Sequence, residues 1–443
     1  MNTPIADFVY NYNIGDFTRF HMPGHKGRKL LGFEEADITE IDGADVLYCA
    51  DGIINESENN ASSLFGTAHT YYSTEGSSLA IKAMLSLVCS ESEDRPLILA
   101  ARNAHKAFIY AAALIDFDIQ WMYGETGDHL CKCTLTAEMV AEYISRCPKK
   151  PTAVYITSPD YLGNVADIRS ISEVCDKHGI PLLVDNAHGA YLAFGESNEH
   201  PIALGASMCC DSAHKTLPCL TGGAYLHIGK KAEKYCENAR AHLSLFASTS
   251  PSYLILQSLD LCNRYISDSY REKLKHTVSS VQAIRRYICD LGFTVSGQEQ
   301  LKLTLDCNSF GYSGQQVHSH LIKNKICCEY YDSQYIVFMF SPENTDSDFD
   351  KLKNALSALP KKESYTNEAP CISVKARSAL SVRQAIFSKS QTVPVSAAKG
   401  RICADPSVSC PPAVPIVVSG EMITDEHISL MQYYGVQTIK VIV

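Results

Sequence analysis

Apolar residues recur along this chain in two rhythms. Short unbroken runs stand at Leu97-Ile-Leu-Ala-Ala101, Ala153-Val-Tyr-Ile-Thr157, Ile180-Pro-Leu-Leu-Val184 and Gly223-Ala-Tyr-Leu-His-Ile228. Runs of this length and composition predict buried strands. Between them, Ser77–Cys89 sets Leu79, Met84, Leu85 and Val88 at helical spacing. The alternation holds over residues 56–255 and predicts a mostly parallel sheet with helices on both faces. A long helical stretch follows from Tyr253 through Tyr287, and then an α+β segment with strands expected at Leu301–Asp306 and Tyr335–Phe340. Lys361-Lys-Glu-Ser-Tyr-Thr-Asn-Glu-Ala-Pro370 is polar and aperiodic and reads as a linker. Residues 1–30, rich in His, Gly and Pro, read as an extended arm. The expected layout is an N-terminal arm (1–30), a major α/β domain (31–255), a small α+β domain (256–360), the linker (361–370) and a C-terminal domain (371–443).

Composition narrows the function more than the fold. With 46% hydrophobic and 20% charged residues, the chain has the make-up of an ordinary soluble globular protein. No apolar run approaches the roughly 18–20 residues that span a bilayer. The start, Met-Asn-Thr-Pro-Ile-Ala-Asp7, lacks the basic and apolar segments of a signal peptide, so a cytoplasmic location is expected. A net charge of −10 argues against nucleic acid as a partner and is compatible with a cationic substrate. The eighteen cysteines include adjacent pairs but no C-x-x-C and no cluster with histidine. Neither a metal site nor a disulfide framework is expected from that spacing.

Chemistry concentrates where two apolar runs end. Asp185-Asn-Ala-His188 closes the run Ile180–Val184, and Asp211-Ser-Ala-His-Lys215 closes Ala206-Ser-Met-Cys-Cys210. An acid at one strand end and a lysine in the loop after another suit pyridoxal phosphate: the lysine holds the aldehyde, and the acid keeps the pyridine nitrogen protonated. Alone, such an Asp is more often a turn residue and such a Lys a solvated surface group. Thr74-Glu-Gly-Ser-Ser78 precedes the helix starting near Leu79 and offers a phosphate cradle of glycine, hydroxyls and helix dipole. A plain helix cap is its bland alternative. Ala101-Arg-Asn-Ala-His-Lys106 sets His105 after a strand, where ligands of open α/β sheets bind.

With these residues in place, the chain resembles the ornithine/lysine/arginine decarboxylases, pyridoxal phosphate enzymes of the aspartate-aminotransferase (type I) fold. The likeness is to compact bacterial members without the N-terminal wing domain. Its motifs stand in order: Phe20-His-Met-Pro-Gly-His-Lys26, Asp37-Ile-Thr-Glu-Ile-Asp-Gly43, Phe65-Gly66, Gly76-Ser-Ser78 and Arg102-Asn-Ala-His-Lys106. Asp185-Asn-Ala-His188, Ser212-Ala-His-Lys-Thr-Leu217, Ser248-Thr-Ser-Pro-Ser-Tyr253, Ala398-Lys-Gly-Arg-Ile402 and Gly420-Glu421 follow. The fold implied is α/β, type I, with a mostly parallel central sheet, a small α+β domain and a C-terminal decarboxylase domain.

The resemblance implies roles position by position. Lys215 holds the cofactor as an imine, flanked by His214 and Ser212; Asp185 pairs with the ring nitrogen; His105 stacks on one ring face and Ala187 packs on the other. Gly76, Ser77 and Ser78 take the phosphate, and Thr249 reaches it from a neighbouring subunit, which implies a homodimer. His188 stands where larger members carry tryptophan, so only proximity to the cofactor is implied. Two further departures are Ser78-Leu79 after the phosphate loop and Pro412-Ala-Val-Pro415, the second of which bears on how the terminal unit meets the site and so on substrate preference.

The activity implied is decarboxylation of arginine, lysine or ornithine, with His214 or Lys215 returning a proton to Cα. Candidate acids for the substrate's distal cation are Asp45, Asp51, Glu56 and Glu421, and the Phe20–Lys26 arm with His21 and His25 is expected at the entrance. Transamination or elimination on the same scaffold is the nearer alternative. The span Val337-Phe-Met-Phe-Ser-Pro342 lacks the arginine an aminotransferase uses to clamp a carboxylate. A catalytically silent pyridoxal-phosphate-binding regulator is the other, opposed by the intact Lys215, Asp185 and Gly76-Ser-Ser78.

Overall fold

A computed structural model describes residues 1–124, 129–365, 376–405 and 413–443. The end of the expected linker (366–370), the start of the C-terminal domain and Pro412 therefore lie outside the described residues. The strands are β1 (His69–Ser73), β2 (Leu97–Ala101), β3 (Asp118–Met122), β4 (Ala153–Thr157), β5 (Leu182–Asp185), β6 (Met208–Asp211), β7 (Ala224–Ile228), β8 (Thr294–Ser296), β9 (Lys302–Asp306), β10 (Tyr330–Tyr331), β11 (Tyr335–Met339), β12 (Ser390–Pro394) and β13 (Thr438–Ile442). The chain divides into two compact units, one of Met1–Ser92 with Ile168–Glu272 and one of Glu93–Asp167 with Lys273–Val443.

In the first unit the strand order is β1-β7-β6-β5. Strands β5 and β6 are parallel, with Asp185 opposite Cys210, while β7 runs antiparallel to both β6 and β1. Every residue of β5, β6 and β7 is buried. That explains their unbroken apolar runs, because a strand covered on both faces has no polar side to alternate. Strand β1 is different: His-Thr-Tyr-Tyr-Ser is polar by letter, yet Thr70 and Ser73 are fully buried. Its polar groups pair locally, with Thr70 N–H donating to Ser62 Oγ at 2.8 Å.

The N-terminal segment is a correction. Its first part is the helix Pro4–Ile14 rather than an extended arm. No side chain at its own start caps it. Instead Asp260, far along the chain, accepts the Ile5 and Ala6 N–H groups at 3.0 Å each and Ser57 Oγ–H at 2.6 Å. Burial lifts the Asp260 carboxyl to about 6, with those three donors pulling against it.

In the second unit β2 pairs in parallel with β3 and with β4. A four-stranded antiparallel sheet, β10-β11-β9-β8, follows. Leu303, Leu305, Ile336 and Phe338 from it pack with Val281, Ile284, Leu321 and Leu356 in one core. A smaller core of Val395, Val417, Ile423, Met431 and Val441 sits under the antiparallel pair β12 and β13. The described cysteines are all free thiols, exposed only at Cys49, Cys289 and Cys327. Among the described residues no helix is long and apolar enough to cross a membrane.

Candidate active site

The first unit gathers most of the expected site. Strand β5 ends on Asp185, which is 2% exposed. Its Oδ1 accepts the Ala187 N–H at 3.2 Å and the Cys210 thiol at 3.6 Å. Strand β6 ends on Asp211 and turns at Ser212 into the short helix Ala213–Thr216, which carries Lys215. Lys215 Nζ lies 3.0 Å from His188 Nε2. That contact gives His188 more than proximity, and no local pattern announces it, since the two residues sit on different loops.

His214 donates from Nδ1 to the Gly223 carbonyl at 2.9 Å. Burial lowers its pKa; the Gly223 bond opposes that shift and neighbouring Lys215 adds to it. The ring is thus biased towards its neutral form. Ser212 Oγ–H donates to Ser77 Oγ at 2.8 Å and ties the lysine turn to the start of helix Ser77–Cys89.

Gly76 caps that helix with φ 72°, a conformation that L side chains rarely adopt. A Cβ built there would meet nothing within 4 Å, so the space before the helix is open. Open space at Gly76, before a thirteen-residue helix whose first residues are Ser77 and Ser78, fits a phosphate dianion. A buried carboxylate, a lysine beside an imidazole and this open space are the group of residues that pyridoxal phosphate requires.

Thr249 lies in an exposed bend, and the neighbouring Ser248 N–H donates to Glu75 Oε1 at 2.6 Å, next to Gly76. The remaining candidates have local partners. Asp45 accepts from the backbone N–H groups of Val46 (2.9 Å), Gly52 (2.9 Å) and Ile54 (3.0 Å), so its carboxylate braces the start of helix Ile53–Phe65. Glu56 accepts from Asn2, and Asp51 is exposed. His21 bonds Tyr12 at 2.7 Å, and His25 pairs with Asp37 at 3.3 Å.

Two candidates belong to the second unit. His105 caps helix Lys106–Ile115 by accepting the Ala107 N–H at 3.1 Å. Glu421 is buried; its Oε2 accepts the Val418 N–H at 2.7 Å and lies 3.5 Å from Arg102, while Oε1 meets no partner. Burial raises its pKa, against the pull of Arg102.

Known proteins share both the sequence and this architecture. The family model "Orn/Lys/Arg decarboxylase, major domain" matches residues 3–304, and "Orn/Lys/Arg decarboxylase, C-terminal domain" matches 361–439. An arginine decarboxylase of Bacillus subtilis is 28% identical over 96% of this chain and 92% of its own length. One from Halalkalibacterium halodurans is 27% identical over 97% and 93%. Among solved structures, the constitutive lysine decarboxylase of E. coli aligns with a TM-score of 0.79 at 15% identity, covering all of this chain and 82% of that one. The Francisella novicida lysine decarboxylase gives 0.82 at 18% identity, over 100% and 81%. At those identities the structures speak for the fold, which is type I. Both family domains thus follow one another on a chain whose lysine, buried acid and phosphate hollow suit pyridoxal phosphate, and the protein belongs to the Orn/Lys/Arg decarboxylase family.

Proposed function

We propose that this protein decarboxylates a basic amino acid (arginine, lysine or ornithine), acting in the cytoplasm as a homodimer with pyridoxal phosphate. The observation that carries the reading is Lys215 Nζ at 3.0 Å from His188 Nε2, one strand over from the buried Asp185. When bound, the cofactor supplies an aldehyde that captures the substrate amine and a ring that takes up the electron pair left at Cα when CO2 departs.

The chain's own residues do the rest. His188 Nε2, 3.0 Å from Lys215 Nζ, would take the amine's hydrogen bond and hold Nζ where it could attack an aldehyde. Asp185, held at the end of β5 by the Ala187 N–H and the Cys210 thiol, presents a carboxylate to a protonated ring nitrogen. Gly76, Ser77 and Ser78 would anchor the phosphate, so that orientation is supplied before reaction. His214, biased to neutrality, or Lys215 would return the proton to Cα. The names of the bacterial relatives and the net charge of −10 support a cationic substrate.

The test is amine and CO2 release by purified protein with pyridoxal phosphate, given arginine, lysine and ornithine separately. One of the three should yield its amine, and Lys215→Ala should abolish release. Normal turnover by Lys215→Ala, or no product from any of the three, would overturn the reading.

A further inference from the structure

Asp211 precedes the Ser212–Lys215 turn and is fully buried, yet the chemistry above makes no use of it. Its Oδ1 accepts Asn186 Nδ2–H at 2.7 Å. Its Oδ2 accepts from His200 Nε2 at 3.0 Å and from His227 Nε2 at 3.1 Å. Each ring nitrogen on the far side is also satisfied: Ile202 N–H points at His200 Nδ1 (3.4 Å), and Thr70 Oγ1 lies 2.9 Å from His227 Nδ1. Cys209 Sγ is 3.8 Å from His200 Nε2, so these donors resemble a metal-ligand set. A backbone N–H can only donate, however, and it leaves the His200 proton on Nε2, the nitrogen that a metal would need. The cluster is therefore explained as a proton-bearing network around a buried carboxylate.

Its placement gives it a purpose. Asn186 follows Asp185 and stands two residues before His188, and its own N–H donates to the Cys210 carbonyl at 3.0 Å. Asp211 and Asn186 thereby bolt the segment carrying Asp185 and His188 to the strand that delivers Lys215. We propose that Asp211 is a positioning residue that acts through Asn186, holding the Asp185–His188 segment in register with the Lys215 turn so that carboxylate, imidazole and amine meet one cofactor. Besides the backbone ladder, β5 and β6 are tied there by the weaker Cys210 thiol contact to Asp185 at 3.6 Å, so the Asp211–Asn186 bond is the short side-chain link beyond the strand ends. The inference rests on the pyridoxal phosphate reading of Asp185 and Lys215.

Two variants test it. Asp211→Asn sets an amide N–H among histidine N–H groups, and Asn186→Ala removes only the bolt. Both are expected to weaken pyridoxal phosphate affinity by roughly 10-fold or more, the usual consequence of a lost hydrogen bond to a charged group. Both should shift the pH midpoint of the bound cofactor's visible absorbance. In the cofactor-free protein, hydrogen exchange at residues 185–189 should quicken in Asn186→Ala. If Asp211→Asn does not fold, Asn186→Ala decides alone. Wild-type affinity, an unchanged absorbance midpoint and unchanged exchange in Asn186→Ala would assign the network to stability only and overturn the proposal. Failure of the wild-type protein to take up the cofactor would instead sink the decarboxylase reading, and this inference with it.

Discussion

Asp211 in one unit and Glu421 in the other are both buried carboxylates, and they differ in how they are surrounded. Asp211 receives three side-chain donors, two of them imidazoles. Burial by itself would raise its pKa; the histidines outweigh burial and hold the carboxyl well below the usual range. Glu421 has a single backbone donor, a guanidinium at 3.5 Å and one oxygen without a partner, and burial wins. Arg102 is close but divided, since it donates to the carbonyls of Pro415 and Ile416 at 2.9 Å each and lies over the Trp121 ring. Asp260 falls between them: it has three donors, none an imidazole, and a carboxyl raised to about 6. Depth of burial alone therefore does not fix a buried acid's charge; the number and kind of its donors do.

Breaking the strongest of the three should have the largest effect. Asp211→Ala strands two histidines and Asn186 without their acceptor and should destabilise by about 3–5 kcal/mol in denaturant unfolding. Because the native pKa of Asp211 is depressed, its contribution is complete above about pH 4 and is lost as pH falls through the native pKa. The gap between wild type and Asp211→Ala should therefore narrow in acid.

Asp260 carries the opposite sign. Its carboxyl is raised from 3.8 to about 6, so the folded state favours the protonated form and wild-type stability declines as pH rises between those values. Asp260→Asn, measured against wild type near pH 4 and pH 7, should fare better at the higher pH. A gap that is flat with pH would refute the assignment. Glu421→Gln should give the smallest change, within about 1 kcal/mol near neutral pH, since it exchanges a poorly partnered charge for an amide of the same shape. A loss as large as that of Asp211→Ala would show that Arg102 stabilises Glu421 far more than 3.5 Å implies.

The same contrast separates what could be read in the sequence from what could not. Strands β2, β4, β5 and β7 were legible because two-faced burial leaves an unbroken apolar run. Gly76 and the lysine turn were legible because helix starts and strand ends have local chemistry. Strand β1 escaped because its buried Thr70 hydroxyl is satisfied by His227, 157 residues away, and its Ser73 hydroxyl by the Gly76 carbonyl. Helix Pro4–Ile14 escaped for a similar reason: its cap, Asp260, is more than 250 residues away. At Asp45 the sequence shows the charge and hides the backbone amides that bond it. His188 and the Asp211 network needed two loops or three strands to be in place before their contacts existed. Local order was readable, and long-range pairing was not.

The distribution of thiols has a practical consequence. Burial drives the thiols of Cys89, Cys175, Cys209, Cys210, Cys262 and Cys307 upward in pKa, so they are protonated and poorly nucleophilic at neutral pH. An electrophilic dye added to the folded protein should find Cys49, Cys289 and Cys327 first, with Cys289 and Cys327 in the second unit and Cys49 in the first. Among the described cysteines, replacing Cys289 would leave one outward-facing thiol in each unit. With Cys371 and Cys410 replaced as well, a chain this rich in cysteine can carry a donor–acceptor fluorophore pair without being stripped of the buried sulfurs that fill its core.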